Sequence, residues 1–290
     1  MNALTVFTAL MSALANAMSL VLQRRASVGL NSRGGRIARL LQPLTRPMWW
    51  CGAISTLLSA AFQVIALDNG ALSVVQPLLA SELLFSLLLG TIVFHHRPTP
   101  GTWRAFVMLA GGLALFLIAA SPSGARDMAP NIRWFFAGVV LAGAVTMLVL
   151  MALRVHGTVR AAILGSATAI GYATTAALIK EVTARFPGGA QAVLTTWHTY
   201  AAGLVGLLSV LLLQWTLRSG SLTGSQPALT LGDAMLSVTL GVYLFGETIN
   251  LGWYVVIELL GIGLMGYGVF GLTGVHAATS GQPDWDDAPT

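Results

Sequence analysis

Nine stretches of this chain each run for roughly 20 residues with almost no charge inside them, at about 3–22, 48–67, 71–94, 103–121, 132–152, 159–180, 192–216, 221–245 and 252–273. A helix rises about 1.5 Å per residue and the hydrocarbon core of a bilayer is about 30 Å thick, so a run of this length is what a crossing requires. Strands closing a barrel would read instead as short alternating segments, and lipid-exposed backbone with unpaired polar groups is excluded. The chain is therefore predicted to be an all-α integral membrane protein with about nine transmembrane helices. Composition agrees: 56% of the 290 residues are hydrophobic and 9% are charged, with a mean hydropathy of +0.78.

The chain repeats itself. At an offset of 150, Leu57, Leu58, Ser59, Leu67, Gly70, Leu72, Gln76, Pro77 and Leu79 meet identical residues at 207, 208, 209, 217, 220, 222, 226, 227 and 229. Beyond the prolines the register slips by one, so that Gly90 meets Gly241, Phe94 meets Phe245, and Glu82 meets Asp233. Each stretch lies five further on from its mate, and an odd step reverses the direction of crossing. The second copy is thus expected upside down relative to the first, a pattern in which two similar halves hold a substrate between them near the midplane. Residues 1–152 form the first repeat with five helices, 153–275 the second with four, and 276–290 a disordered cytoplasmic tail rich in Gly, Pro and Asp.

Lys and Arg collect in cytoplasmic loops. The first, third, fifth and seventh connections hold Arg24, Arg25, Arg33, Arg36, Arg39, Arg46, Arg97, Arg104, Arg154, Arg160 and Arg218, against Arg126, Arg133, Lys180 and Arg185 on the other side. This places the N-terminus outside and the C-terminus in the cytoplasm. The net charge of +5 thereby describes topology and gives no ground for a nucleic-acid partner. The first stretch lacks a basic leading region and is expected to stay as a helix, not leave as a signal peptide. Cys51, the single cysteine, is expected to pack inside a span.

Candidate functional residues follow from the expense of polarity in hydrocarbon. A charge at the bilayer centre costs on the order of 2.5–3.5 kcal/mol on insertion scales, so Glu82, Asp233 and Glu258 should face a cavity or a partner, where they suit proton exchange or cation binding. Pro77 and Pro227 each remove a helix hydrogen bond just ahead of a carboxylate, and broken helices expose carbonyls to substrates. Gln76 and Gln226 precede them and either line the same cavity or bond each other. His198, in the group Thr195, Thr196, Trp197, His198 and Tyr200, belongs either to the water–lipid interface or to the cavity. Glu247 ends a stretch, where an interfacial structural role is expected. Adjacent His95 and His96 point apart and make no metal site. Gly261, Gly263 and Gly266 spell a dinucleotide fingerprint, but no strand precedes them, and glycines inside a span serve close helix packing. Gly111 and Gly112 read the same way. No cofactor, no metal and no enzymatic activity are expected.

Leu244, Phe245, Gly246 and Glu247, followed by a Gly-rich last helix, resemble the "FGE" junction of the drug/metabolite transporter superfamily, in its EamA-like branch of paired five-helix units. The stretch Gly70-Ala71-Leu72-Ser73-Val74-Val75 is similar to the "GALSVV" segment of NIPA-type magnesium transporters, a nine-helix relative. His96 stands where the first half of such proteins often carries the junction Glu, and Asp233 replaces a common Glu, so cation specificity does not carry over. The resemblance implies a secondary transporter of a small molecule or ion in a bacterial plasma (inner) membrane, with divalent cation transport as one alternative and a non-transporting scaffold as another. A homodimer is as compatible with the sequence as a monomer.

Overall fold

The computed structural model describes residues 3–27, 46–94, 100–120, 128–218, 222–248 and 253–279. The described residues are overwhelmingly helical and contain no β-strand: α1 (Ala3–Ser27), α2 (Pro47–Asn69), α3 (Leu72–Leu79), α4 (Glu82–Phe94), α5 (Pro100–Ala120), α6 (Asn131–Ala152), α7 (Gly157–Thr183), α8 (Gly189–Thr195), α9 (Trp197–Arg218), α10 (Leu222–Phe245) and α11 (Trp253–Thr279). A helix stands at each of the nine apolar stretches. Among the described residues seven spans are long and apolar enough to cross a membrane, α3 and α4 counting together as one, and α11 adds a shorter apolar run, Val256–Gly271. The chain is a multi-pass membrane protein. His95, His96, most of the Arg24–Arg46 stretch and the end of the tail lie outside the described residues.

Two helices depart from the expected runs. The seventh stretch is not one helix: α8 ends at Thr195, Thr196 is extended (φ −82°, ψ 135°), and α9 starts afresh at Trp197. Side chains make this break tolerable, because Thr199 Oγ1 donates to Val193 O and the Tyr200 hydroxyl to Leu194 O, taking up carbonyls that α8 leaves open. The prolines also act unequally. The third stretch breaks into α3 and α4, whereas α10 continues unbroken through Pro227. One proline removes a single i→i−4 bond near the first turn, which does not by itself end a helix. The first-half break comes three residues after Pro77, where Ala80 and Ser81 donate to Pro77 O and Leu78 O in tighter i→i−3 turns.

The helix α7 is the centre of the bundle. Its Ala161, Ala167, Ala169, Ala173, Ala176 and Ala177 are all buried, and these small side chains let α9, α10 and α6 approach closely. The same arrangement recurs in the first half, where α1 lies against α2 and against α3 and α4, as α7 lies against α9 and α10. By contrast α6 and α9 bury little of their surface and turn Phe135, Val139, Val140, Leu204, Leu207 and Leu211 outward. In water such a surface would be an aggregation site; in hydrocarbon it is a lipid contact. Cys51 lies exposed on α2, contrary to the packing role expected of it, as a small apolar side chain meeting lipid incurs no penalty.

Between the halves, α5 and α11 pack antiparallel along their length, Gly261 facing Phe116 while Gly268 faces Leu109. A methyl group at Gly112 would overlap the backbone of Gly261 and Met265, and one at Gly268 the backbone of Leu109 and Ala105. The glycines thus serve packing, although Gly111 and Gly263 have open space around them and do not share in it. Gly261→Ala and Gly268→Ala should each destabilise the detergent-solubilised protein by about 1–3 kcal/mol through overpacking. Gly263→Ala should leave the thermal midpoint unchanged or slightly higher. Equal losses at 263 and 268 would refute this account of the interface.

Candidate functional site

The break in the third stretch sets the first polar group. Glu82 is the first residue of α4, so the turn at Ala80–Ser81 points a carboxylate into the bundle at a place where helical bonding is interrupted. Asn16 of α1 donates to Glu82 Oε2 at 2.7 Å. Asp233 stands on α10, which packs against both α3 and α7. Tyr172, on the central helix, lies within electrostatic reach of both Asp233 and Glu82. Each of the two repeat-matched carboxylates thus lies within electrostatic reach of the same phenol on α7, and Glu82 has an amide partner on α1.

This neighbourhood is rich in unmet hydrogen-bonding capacity. Ser81 Oγ and Asp233 Oδ1 are buried and have no hydrogen-bond partner, and the Ser237 hydroxyl lies beside the Asp233 carboxylate one turn along α10. Such groups are rare in folded proteins and mark sites completed by something else. Gln76 is buried at 4% exposure on α3, one turn before the break. Pro77 is buried beside it. The side chains of Gln226 and Pro227 lie outside the described residues. The remaining expected site residues sit elsewhere. Glu258 is buried on α11, on the face that packs against α5, and its Oε1 is without a partner, but no described contact joins it to Glu82 or Asp233. His198 is fully buried at the start of α9, stacked on Trp197 at 3.9 Å, edge-on to Trp134 at 5.5 Å, and bonded through Nδ1 to Thr196 Oγ1 at 2.8 Å. It belongs to an aromatic cluster at the bundle's end. That end is about 13 Å along α7 from Tyr172, the rise of nine residues to Glu181, which bonds Trp134. Among the described residues no three His, Cys, Asp or Glu side chains gather as a metal site.

A second polar assembly closes that same end. Glu247 is buried and accepts from Leu72 N at 2.7 Å, from Ser73 N at 3.0 Å and from the Ser73 hydroxyl at 2.5 Å. Its carboxylate thus caps α3, whose own preceding residue, Ala71, has no side chain that can do so. Lys180 of α7 meets Glu247 Oε1 at 3.3 Å and Gly70 O at 2.6 Å. Each letter of the junction has a physical task. Phe245 lies beneath the Lys180 ammonium, 5.2 Å from its ring centre. Gly246 takes φ +61° to end α10, donating to Val242 O while Glu247 N donates to Gly241 O. Gly241 leaves the space that the Glu247 carboxylate fills. Beside this, Glu181 accepts from Ala129 N and Trp134 Nε1 and pairs with Arg185 at 3.0 Å, and Arg133 donates to Tyr243 O.

Sequence reasoning missed Asn16, Tyr172, Ser81, Ser237 and Lys180. A signal existed for three of them: Asn16 is the single amide of its stretch, Tyr172 the single tyrosine of its stretch, and Lys180 the single lysine of the chain. Gly246→Ala should destabilise the protein by about 1–2 kcal/mol, the penalty for a Cβ in the left-handed region, and Gly246→Asn by less. Thermal unfolding of the two variants checks the ranking.

A relative from Corynebacterium glutamicum, described as an uncharacterized protein, is 30% identical over 253 residues, covering 85% of this chain and 86% of its own length. No family model matches the chain. No solved structure matches it. At that identity and coverage the chain belongs to the same family as the corynebacterial protein.

Proposed function

We propose that the protein is a secondary transporter of a small solute, with Glu82 and Asp233 as the groups that bind a cation or exchange protons. The observation that supports this reading is that two repeat-matched interior carboxylates, Glu82 beside the break between α3 and α4 and bonded to Asn16, and Asp233 on α10, are both within electrostatic reach of Tyr172 on the central helix. Two carboxylates kept in hydrocarbon must earn their place by function or by strong partners. Here one carboxylate has an amide partner and the other keeps a bare acceptor. The described basic residues near these helices, Lys180, Arg133 and Arg185, are engaged at the bundle's end, so the site favours a cationic or neutral ligand over an anion.

In this reading the nine helices all cross the membrane, with the N-terminus outside, the C-terminus in the cytoplasm, and two inverted halves at 1–152 and 153–275. The recurring packing of α1 and α7 supports it, as does the antiparallel pairing of the repeat mates α5 and α11. Alternating access then consists of rocking the halves about the carboxylates. The resemblance to the EamA-like drug/metabolite transporters points the same way and suggests a bacterial plasma membrane, with no enzymatic activity. A divalent cation is the second reading, favoured by the oxygen donors of Glu82, Asp233 and Gln76.

Thermal stabilisation of the purified protein against divalent cations, amino acids, nucleosides, sugars and organic cations tests the proposal. A ligand at about 100 times its Kd should contribute about 2.7 kcal/mol. The shift should vanish in Glu82→Gln/Asp233→Asn, and the identity of the active compound separates the two readings. A folded double variant that keeps the full ligand response would remove these carboxylates from the site, and a variant that cannot fold would return them to structure.

A further inference from the structure

Several side-chain hydrogen bonds tie residues 3–152 to residues 157–279 at one end of the bundle. Glu247 holds Leu72 and Ser73, Lys180 holds Gly70, Glu181 holds Ala129 and Trp134, and Arg133 holds the carbonyl of Tyr243. We propose that the Glu247–Lys180 latch is a gate, shut in this conformation, which must release α3 before the Glu82/Asp233 site opens at that end. The inference rests on the transporter reading and adds to it a moving part.

Three features make the latch a gate and not a permanent weld. It grips the first turn of α3 and the Gly70 carbonyl just ahead of it, and α3 is an eight-residue helix that leads from the latch to the break at Ala80–Ser81, beyond which Glu82 stands. A lever of eight residues is about 12 Å long, so a displacement at the latch is carried along α3 to the break that precedes the carboxylate. Next, the groups it holds are the first N–H groups of a helix, a lysine ammonium and a glycine carbonyl at the end of the bundle, and water takes over such groups when they part. Finally, the device is one-sided. The repeat carries Gly70 and Ser73 to Gly220 and Thr223 at an offset of 150, and Glu247 back to His96 at the offset of 151 that holds beyond the prolines, so the sequence supplies no second carboxylate at the matching place in the first half.

The test uses full-length protein in detergent, where both ends are open to reagent, with Cys51→Ser and a reporter, Val75→Cys, at a fully buried position of α3. A soluble maleimide should label the reporter about tenfold faster in Glu247→Gln than in the parent. Lys180→Met should raise the rate by a smaller factor, since it leaves the cap bonds of Glu247 in place. Gly268→Ala, which loosens the molecule away from the latch, should not raise it. Parental rates in both latch variants would overturn the gate, as would an equal rise in Gly268→Ala. If Glu247→Gln fails to fold, the rate in Lys180→Met decides alone. Faster labelling without any ligand response in the stabilisation panel would keep the gate and sink the transport reading; a ligand response with unchanged labelling would do the reverse.

Discussion

Hydrocarbon offers no hydrogen bonds, and nearly every feature of this structure is an answer to that fact. Backbone groups are satisfied inside helices, and where a helix stops short of the surface a particular side chain takes over. Thr199 and Tyr200 accept this task at the end of α8, and Glu247 performs it at the start of α3. These substitutions are local in space but not in sequence: Leu72 and Glu247 are 175 residues apart. The carboxylate that completes one half's broken helix is contributed by the other half, so the two cannot be understood separately.

Against this background the interior polar set is an exception. Ser12 and Ser59 show how polar groups are ordinarily accommodated between spans, each hydroxyl bonding the other residue's carbonyl at 2.9 Å. Thr168 and Thr216 do much the same across α7 and α9. Beside them, the bare acceptor of Asp233 and the unpartnered Ser81 stand out, since both are buried where no water reaches them. The asymmetry between Glu82, bonded to Asn16, and Asp233, which retains capacity, arises from a sequence repeat that is imperfect at the residues around it.

The class of the protein and the position of its helices were legible because hydropathy is a property of contiguous residues, and a bilayer reads contiguous length. The candidacy of Glu82 and Asp233 was legible because the repeat placed them in register. The roles of Asn16 and Tyr172 were not, since which residue of α1 or α7 faces α4 or α10 depends on helix rotation, and the stretches are apolar on every side and carry no amphipathic stripe to report it. The expectation for His198 left two places open, and the structure chose the end of the bundle, because Thr196 stops α8 and stacks the imidazole on Trp197. Pro77 and Pro227 show the limit of motif arithmetic: identical dipeptides give a break in one half and a continuous helix in the other.

The ion pairs at the latched end also shape the molecule electrically. Lys180 and Glu247 cancel, as do Arg185 and Glu181, and the formal charge of Arg133 is matched by that of Asp68, exposed at the end of α2. That end is therefore nearly neutral, while Arg154 and Arg160 stand at the opposite end without acidic partners among the described ion pairs. The bundle consequently carries a dipole along its long axis. A transmembrane voltage acts on such a dipole with about 2.3 kcal/mol per elementary charge per 100 mV, and favours the arginine-bearing end on the negative side. The pairs that fasten the helices thus also sharpen the charge difference between the two ends.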